Sequence, residues 1–302
     1  MIGKFILKRI VAPIVIVSAT AVSAVLGFTG CLSQHYKGNN YAKWMAGLDD
    51  NTSLREVNMP GSHDTMALYS IGDLAGQCQT LGLEDQLNIG IRFLDIRLQE
   101  VNNELKAVHG FIDQRASFES IVITVESFLK NNSGEFIIMS IKEEEKSSKS
   151  TMSFEECLKQ YIKSDKWLTS TSIPNKLGDV RGKIAILSRY SGSTIGIPAY
   201  DGWTDNSAFT LPNNIRVQDH YKLKNTETKK EEIKSCFNDT ADYSLKINFL
   251  SGYLEGGFPP SYAPSVANDI NQWINNEIKN ISKRGIVLYD FVTSSLMKGW
   301  FE

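Results

Sequence analysis

Asn58-Met-Pro-Gly-Ser-His-Asp-Thr65 is the stretch around which this chain is ordered. An apolar lead-in, Val57 and Met59, stops at Pro60-Gly61, a dipeptide that signals a turn, and the next side chains are an imidazole and a carboxylate, His63 and Asp64. That is the form of a strand end that delivers chemistry. Three other histidines exist, His35, His109 and His220, and of these only His109, in Leu105-Lys-Ala-Val-His-Gly110, also closes a strand-like run. An imidazole titrates near neutrality, so two of them on opposite sides of one reacting atom can serve as base and acid. Either histidine alone reads as a turn residue; the pair gains weight from a pattern that recurs along the chain.

Working outward, strand-like runs alternate with helix-like stretches. The strand candidates are Arg55 to Met59, Gly90 to Arg97, Leu105 to Val108, Glu135 to Ile141, Lys183 to Ser188, Ile215 to Gln218, Leu245 to Phe249 and Gly285 to Tyr289. Several are continuous apolar runs, as strands buried on both faces require. Ser117 to Lys130 carries Phe118, Ile121, Val122, Val125 and Phe128 at helical spacing, and Ser153 to Ile162 opens with a capping box, Ser-Phe-Glu-Glu. Asn225 to Phe237 and Ser265 to Ile281 read as two further helices. Alternation of this kind predicts an α/β fold with a parallel sheet, and eight strand candidates in about 250 residues predict one (β/α)8 barrel of TIM type. Only Leu98 to Glu104 separates the second and third runs, too short for a helix, so the barrel is expected to be irregular.

The apolar runs share one kind of ending, an ionisable side chain. Met59-Pro-Gly-Ser is followed by His63 and Asp64, Phe93-Leu94 by Asp95 and Arg97, Ala107-Val108 by His109, and Ile137 to Ile141 by Lys142. Ile184 to Ser188 leads to Arg189, Val217-Gln218 to Asp219 and Tyr221, and Val287 to Tyr289 to Asp290. In a barrel these ends share one face, where active sites sit. A lone Lys142 or Arg189 reads as a rim salt bridge; the set reads as a site.

The chain has 302 residues, 42% of them hydrophobic, and a formal net charge of -2, which gives no electrostatic footprint for nucleic acid. Lys4, Lys8 and Arg9 precede an uncharged run from Ile10 to Phe28, the layout of an export signal over residues 1–31. Three fates are open to it: cleavage after Ala24, lipidation of Cys31 in the lipoprotein-like Phe28-Thr-Gly-Cys31, or retention as an anchor, since the run approaches the roughly 20 residues that span a bilayer. The protein is thus expected to be secreted or lipid-anchored. Residues 32–52 read as a tether and a short helix over Tyr41 to Leu48, with Trp44 and Met45 as docking residues, and 53–302 as the catalytic barrel. Cys78, Cys157 and Cys236 have the spacing of neither a disulfide framework nor a zinc site and read as buried small side chains.

Pro60-Gly-Ser-His-Asp64, Gly90-Ile-Arg-Phe-Leu-Asp-Ile-Arg97, Val108-His-Gly110, Phe136 to Lys142, Leu177 to Gly192 and Val217-Gln-Asp-His-Tyr221 resemble the bacterial phosphatidylinositol-specific phospholipases C, in order, from about Trp44 to Asp290. The resemblance implies a lyase-type cleavage of phosphatidylinositol: the inositol 2-hydroxyl attacks phosphorus, diacylglycerol leaves, and inositol 1,2-cyclic phosphate forms. It implies His63 as general base oriented by Asp290, His109 as general acid with Asp64 beside it, and Arg97 on the phosphate oxygens. Lys142, Arg189, Asp219 and Tyr221 match the inositol site. Arg97 stands where eukaryotic relatives use Ca²⁺, so neither metal nor cofactor is expected.

The segment Ile71 to Cys78 lacks the tryptophan with which secreted members grip lipid; Phe258, in Gly256-Gly-Phe-Pro-Pro-Ser-Tyr262, is the candidate membrane contact. A monomer is expected. Alternatives are a catalytically silent inositol-lipid-binding protein, and a lyase acting mainly on glycosylphosphatidylinositol anchors. A glycerophosphodiesterase would need a Glu/Asp metal cluster that the sequence lacks.

Overall fold

The computed structural model describes residues 41–71, 76–256 and 263–302. The expected export segment with Cys31, the tether up to residue 40 and the candidate membrane residue Phe258 lie outside these residues. In chain order the strands are β1 (Met59–Ser62), β2 (Phe93–Val101), β3 (Glu104–His109), β4 (Ile112–Ser117), β5 (Ile137–Ser148), β6 (Trp167–Leu168), β7 (Ile184–Arg189), β8 (Ile197–Pro198), β9 (Ala208–Thr210), β10 (Ile215–Gln218), β11 (Lys222–Leu223), β12 (Leu245–Phe249), β13 (Tyr253–Leu254) and β14 (Ile286–Tyr289). The helices are α1 (Leu83–Asn88), α2 (Phe118–Asn131), α3 (Phe154–Lys159), α4 (Thr226–Asn238), α5 (Ala263–Glu277) and α6 (Ser294–Phe301).

Seven strands, in the order β7-β5-β2-β1-β14-β12-β10, are each parallel to the next and curl into the wall of a TIM-type barrel. The predicted eighth strand, Leu105 to Val108, is not one of them. It belongs to β3, which is antiparallel to β2 and forms with β4 a hairpin beyond the barrel wall. The short Leu98 to Glu104 link explains this, because two adjoining runs without a crossover must pair antiparallel. On the other side the wall ends in β8, parallel to β7, and β9, antiparallel to β10; among the described residues no ladder joins β8 to β9.

The sheet sorts side chains with period two. Met59, Phe93, Ile138, Leu187, Val217 and Leu288 fill the barrel interior, while their neighbours Leu94, Ile137, Met139, Ile186 and Val287 pack outward under the helices. Helix α2 buries the predicted apolar stripe, Phe118, Ile121, Val122, Val125 and Phe128, and Leu129 besides, and Ser117 caps it by accepting from the Ser120 N–H at 3.2 Å. The capping box of α3 forms as expected between Ser153 and Glu156.

Two local expectations are corrected. Pro60 and Gly61 lie inside β1, with Pro60 opposite Val287 and Gly61 opposite Leu288, and the turn begins only after Ser62. Pairing with β2 starts at Gly61, so the proline's missing N–H costs no ladder bond on that side. Gly61 is required by close approach: a Cβ there would sit 2.9 Å from Phe93 Cβ and 3.2 Å from Leu288 Cγ.

Residues 41–52 do not trail as a tether either; they close the bottom of the barrel. The predicted helix is a single 3-10 turn, Trp44–Gly47, in which Trp44 Nε1 donates to Gly90 O at 2.9 Å and Met45 is fully buried. The backbone N–H groups of Met45 and Ala46 donate to the Glu135 carboxylate, which also pairs with Arg92 at 2.8 Å. Neither member of that pair has any solvent exposure.

Candidate active site

Period two, continued past the wall, builds the mouth. Phe93 leads to Asp95 and Arg97, Ile138 to Ser140 and Lys142, Leu187 to Arg189, Val217 to Asp219 and Tyr221, Gly61 to His63, and Leu288 to Asp290. Residues of interior parity thus turn from apolar to ionisable at the C-terminal ends of the strands. They surround a cleft of about 770 Å³. Eight predicted residues line it: His63, Arg97, His109, Lys142, Arg189, Asp219, Tyr221 and Asp290. The ninth, Asp64, lies just beneath, 1% exposed.

His63 is held from both sides. Its Nδ1 is 2.7 Å from Asp290 Oδ1, and its Nε2 is 2.8 Å from an Arg97 terminal nitrogen. A guanidinium only donates, so Nε2 must accept and the ring proton must sit on Nδ1, facing the carboxylate. Burial works most strongly, with Arg97, to lower the His63 pKa, but the charge and hydrogen bond of Asp290 together with the Asp95 charge outweigh them, and the net direction is upward. The backbone around it is pinned by Gln79, a fully buried side chain whose Nε2 donates to His63 O at 2.8 Å and Tyr289 O at 2.9 Å.

Arg97 is the hub. Its Nε and a terminal nitrogen donate to Asp95 Oδ2 at 3.2 and 3.0 Å, and it lies 3.6 Å from Asp64 and 3.5 Å from Glu144. Burial raises the Asp95 carboxyl, but Arg97 and Arg189 outweigh it and hold the group far below the usual carboxylate range. Asp95 also receives the Asp64 N–H at 3.1 Å and so holds Asp64 at φ 38°, in the left-handed region that few non-glycine residues enter.

Across the cleft, His109 Nδ1 is 2.8 Å from Gly76 O and 3.8 Å from Asp64 Oδ2. That carboxylate oxygen is buried without a hydrogen-bond partner, and burial raises the Asp64 pKa against the pull of Arg97 and His109.

The far wall is a charged and aromatic basin. Lys142 Nζ is 2.5 Å from Glu144 Oε2; burial and the neighbouring Arg97 lower its pKa, whereas Glu144, raised by burial, is brought to about 2 by Arg97 and Lys142. The Arg189 guanidinium lies over the Trp203 ring, 3.6 Å from its centroid, and donates to Asp95 Oδ1 at 3.1 Å. Tyr221 Oη donates to Asp205 Oδ1 at 2.6 Å.

Sequence reading did not single out Glu144, Trp203, Asp205 or Gln79, and it read Cys78 only as a buried small side chain, which it is. Glu144 hides in Glu143-Glu144-Glu145, which reads as a solvated charge run, although it continues the β5 strand that carries Lys142. Trp203 and Asp205 sit between β8 and β9, a stretch with no periodicity to read. Cys78 lines the cleft with its Sγ 4.0 Å from His109 Nδ1.

Three comparisons bear on this constellation. The family model "Phosphatidylinositol-specific phospholipase C, X domain" matches residues 57–190. The 1-phosphatidylinositol phosphodiesterase of Listeria monocytogenes is 32% identical over 269 residues, 85% of this chain and 83% of that protein, and the one from Staphylococcus aureus is 28% identical over 263 residues, 78% and 83%. Among solved structures, a phosphatidylinositol-specific phospholipase C of S. aureus superposes with a TM-score of 0.76 at 26% identity, covering 86% of this chain and 97% of that one. The L. monocytogenes enzyme does so at 0.69 and 28%, covering 87% and 98%.

Proposed function

The chain belongs to the bacterial phosphatidylinositol-specific phospholipase C family, and from that premise we propose that it cleaves phosphatidylinositol into diacylglycerol and inositol 1,2-cyclic phosphate by metal-independent acid–base catalysis between two histidines. The observation that carries this reading is His63 poised between Asp290 and Arg97 with its Nε2 lone pair facing a donor. When a phosphodiester enters, its oxygens compete for the guanidinium, and Nε2 is released to take the inositol 2-hydroxyl proton. The Asp290 carboxylate then stabilises the imidazolium through Nδ1–H. Arg97, already oriented by Asp95, offers positive charge where the phosphoryl oxygens gain negative charge. His109, on the opposite wall, supplies the proton to the diacylglycerol oxygen as that bond breaks.

The basin of Lys142, Glu144, Arg189, Asp205, Asp219 and Tyr221 alternates donors and acceptors, which suits the hydroxyls of one sugar-like ring. A silent lipid-binding protein would need that basin but no acid, base and orienting carboxylate, which disfavours it.

The test is a phosphorus NMR time course of the full chain with phosphatidylinositol in detergent micelles and excess chelator. A growing cyclic inositol phosphate signal, abolished in both His63→Ala and His109→Ala, is expected. A signal that appears only with added Ca²⁺ overturns the role given to Arg97; no signal in either case leaves the binding-protein reading.

A further inference from the structure

Cys78 has no part in the reaction just described, yet its sulfur sits between the two halves of the site. One ligand atom each from Asp64, Cys78 and His109 lies within 4.8 Å of the other two, with His109 Nδ1 3.8 Å from Asp64 Oδ2 and 4.0 Å from Cys78 Sγ. A second observation is independent of the thiol: on a residue 1% exposed, Asp64 Oδ2 is a buried oxygen that has no hydrogen-bond partner among the described residues, with Arg97 at 3.6 Å and His109 at 3.8 Å beyond bonding distance. Such an oxygen costs stability unless something satisfies it. We propose that Asp64, Cys78 and His109 form a binding site for a thiophilic divalent cation of the zinc class, and that its occupancy reversibly inhibits the enzyme.

The chemistry fits that class of ion. Sulfur, imidazole nitrogen and one carboxylate oxygen are a common three-ligand set for zinc, whose fourth tetrahedral position stays open to water or substrate. Tetrahedral bonds of about 2.0–2.3 Å put the ligand atoms roughly 3.3–3.5 Å apart, so the two spacings from His109 close by about half an ångström and the third, within 4.8 Å, by at most about 1.5 Å, through side-chain rotation. Cys78 and His109 both line the cleft, which gives the ion its entry path and its open face. Binding displaces the thiol proton to solvent; His109 leaves Gly76 O, and its ring proton moves to Nε2 so that the Nδ1 lone pair meets the metal. His63, Cys78 and Asp290 also cluster, but the 2.7 Å contact between His63 and Asp290 already satisfies that pair. Arg97, 3.6 Å from Asp64, opposes any cation here. A hard ion has only oxygen ligands to set against it, whereas a thiolate adds both charge and a soft bond.

The inhibitory part of this inference rests on the phospholipase reading, because the metal removes His109 from the leaving group; the binding part does not. Titrate the full, chelator-treated chain with Co²⁺ and follow thiolate-to-cobalt charge-transfer absorption in the near ultraviolet, and in parallel assay phosphatidylinositol cleavage with Zn²⁺ followed by chelator. The expected result is a saturable band, inhibition that chelator reverses, and loss of the band in Cys78→Ser and Cys78→Ala. Both variants keep wild-type activity under chelator and need at least about 10- to 100-fold more Zn²⁺ for inhibition, since losing a ligand costs at least what an outer-shell change does. Absence of the band in the wild type, or an equal band in both variants, overturns the site. A Cys78-dependent band in a protein that cleaves nothing keeps the site and removes the lyase reading; cleavage without a band does the reverse.

Discussion

At His63 the two ring nitrogens face opposite demands, a carboxylate that wants a proton and a guanidinium that offers one. The consequence is a pH signature. Asp290 makes the largest of the contributions that lift the His63 pKa against burial and Arg97, so Asp290→Asn must lower it. The base acts when unprotonated, and the acidic limb of kcat/KM follows its pKa in the free enzyme. In Asp290→Asn that limb therefore moves to lower pH, while the rate at the plateau falls about 10²- to 10⁴-fold. The fall has two sources, since the amide leaves the imidazolium unpaired and its N–H can turn the ring so that Nε2 carries a proton toward Arg97. A pH–rate profile checks both, and a limb that stays where it was would remove Asp290 from its role. Residue identity at the strand ends was legible in the sequence because ionisable groups there break an apolar run. Gln79 was not, since a glutamine that satisfies two carbonyls looks like any polar loop residue until the fold brings Tyr289 beside it.

At the scale of elements, one parity rule accounts for both core and site: the side of a strand that packs apolar groups into the barrel presents the charged groups at its mouth. β5, β7 and β14 were readable because burial on both faces writes continuous apolar runs, and α2 because its apolar residues recur at helical spacing. β1 was displaced in the reading because Pro60-Gly61 carries turn chemistry, and only its neighbours show why: Phe93 and Leu288 leave no room for a Cβ. Gly61→Ala is accordingly expected to cost about 1–3 kcal/mol by overpacking, and at about 2–4 °C per kcal/mol for a chain of this size the melting temperature drops by several degrees. Differential scanning calorimetry measures it; an unchanged Tm would mean that β2 shifts freely, against the packing described. The β3–β4 hairpin misled for a different reason, since a short run such as Leu105-Lys-Ala-Val108 has the same appearance in a barrel wall as in an excursion from it. The far wall of the cleft, from Ala199 to Asp205, carries no periodicity at all.

The whole molecule is sealed at the bottom by Arg92 and Glu135, a fully buried ion pair that also ties down the 3-10 turn, Trp44–Gly47. Burial lowers the Arg92 pKa to about 10 even with Glu135 beside it, a measure of how poorly the site tolerates an uncompensated charge. Glu135→Gln should cost about 3–5 kcal/mol, as breaking a buried pair does, whereas replacing both partners by apolar residues of similar volume should come out near neutral. Urea unfolding of the two variants separates charge compensation from packing. The order of the sheet has a further consequence, in time rather than space. β1, the first of the described strands, lies between β2 and β14, and β14 is the last of them. Tyr41 likewise packs its ring 4.4 Å from that of Phe301. A ribosome must therefore release everything from β1 through β14 before the barrel can shut, and Asp290 joins His63 only at that point. Such a chain stays unfinished throughout its synthesis, with its site in two halves until the end.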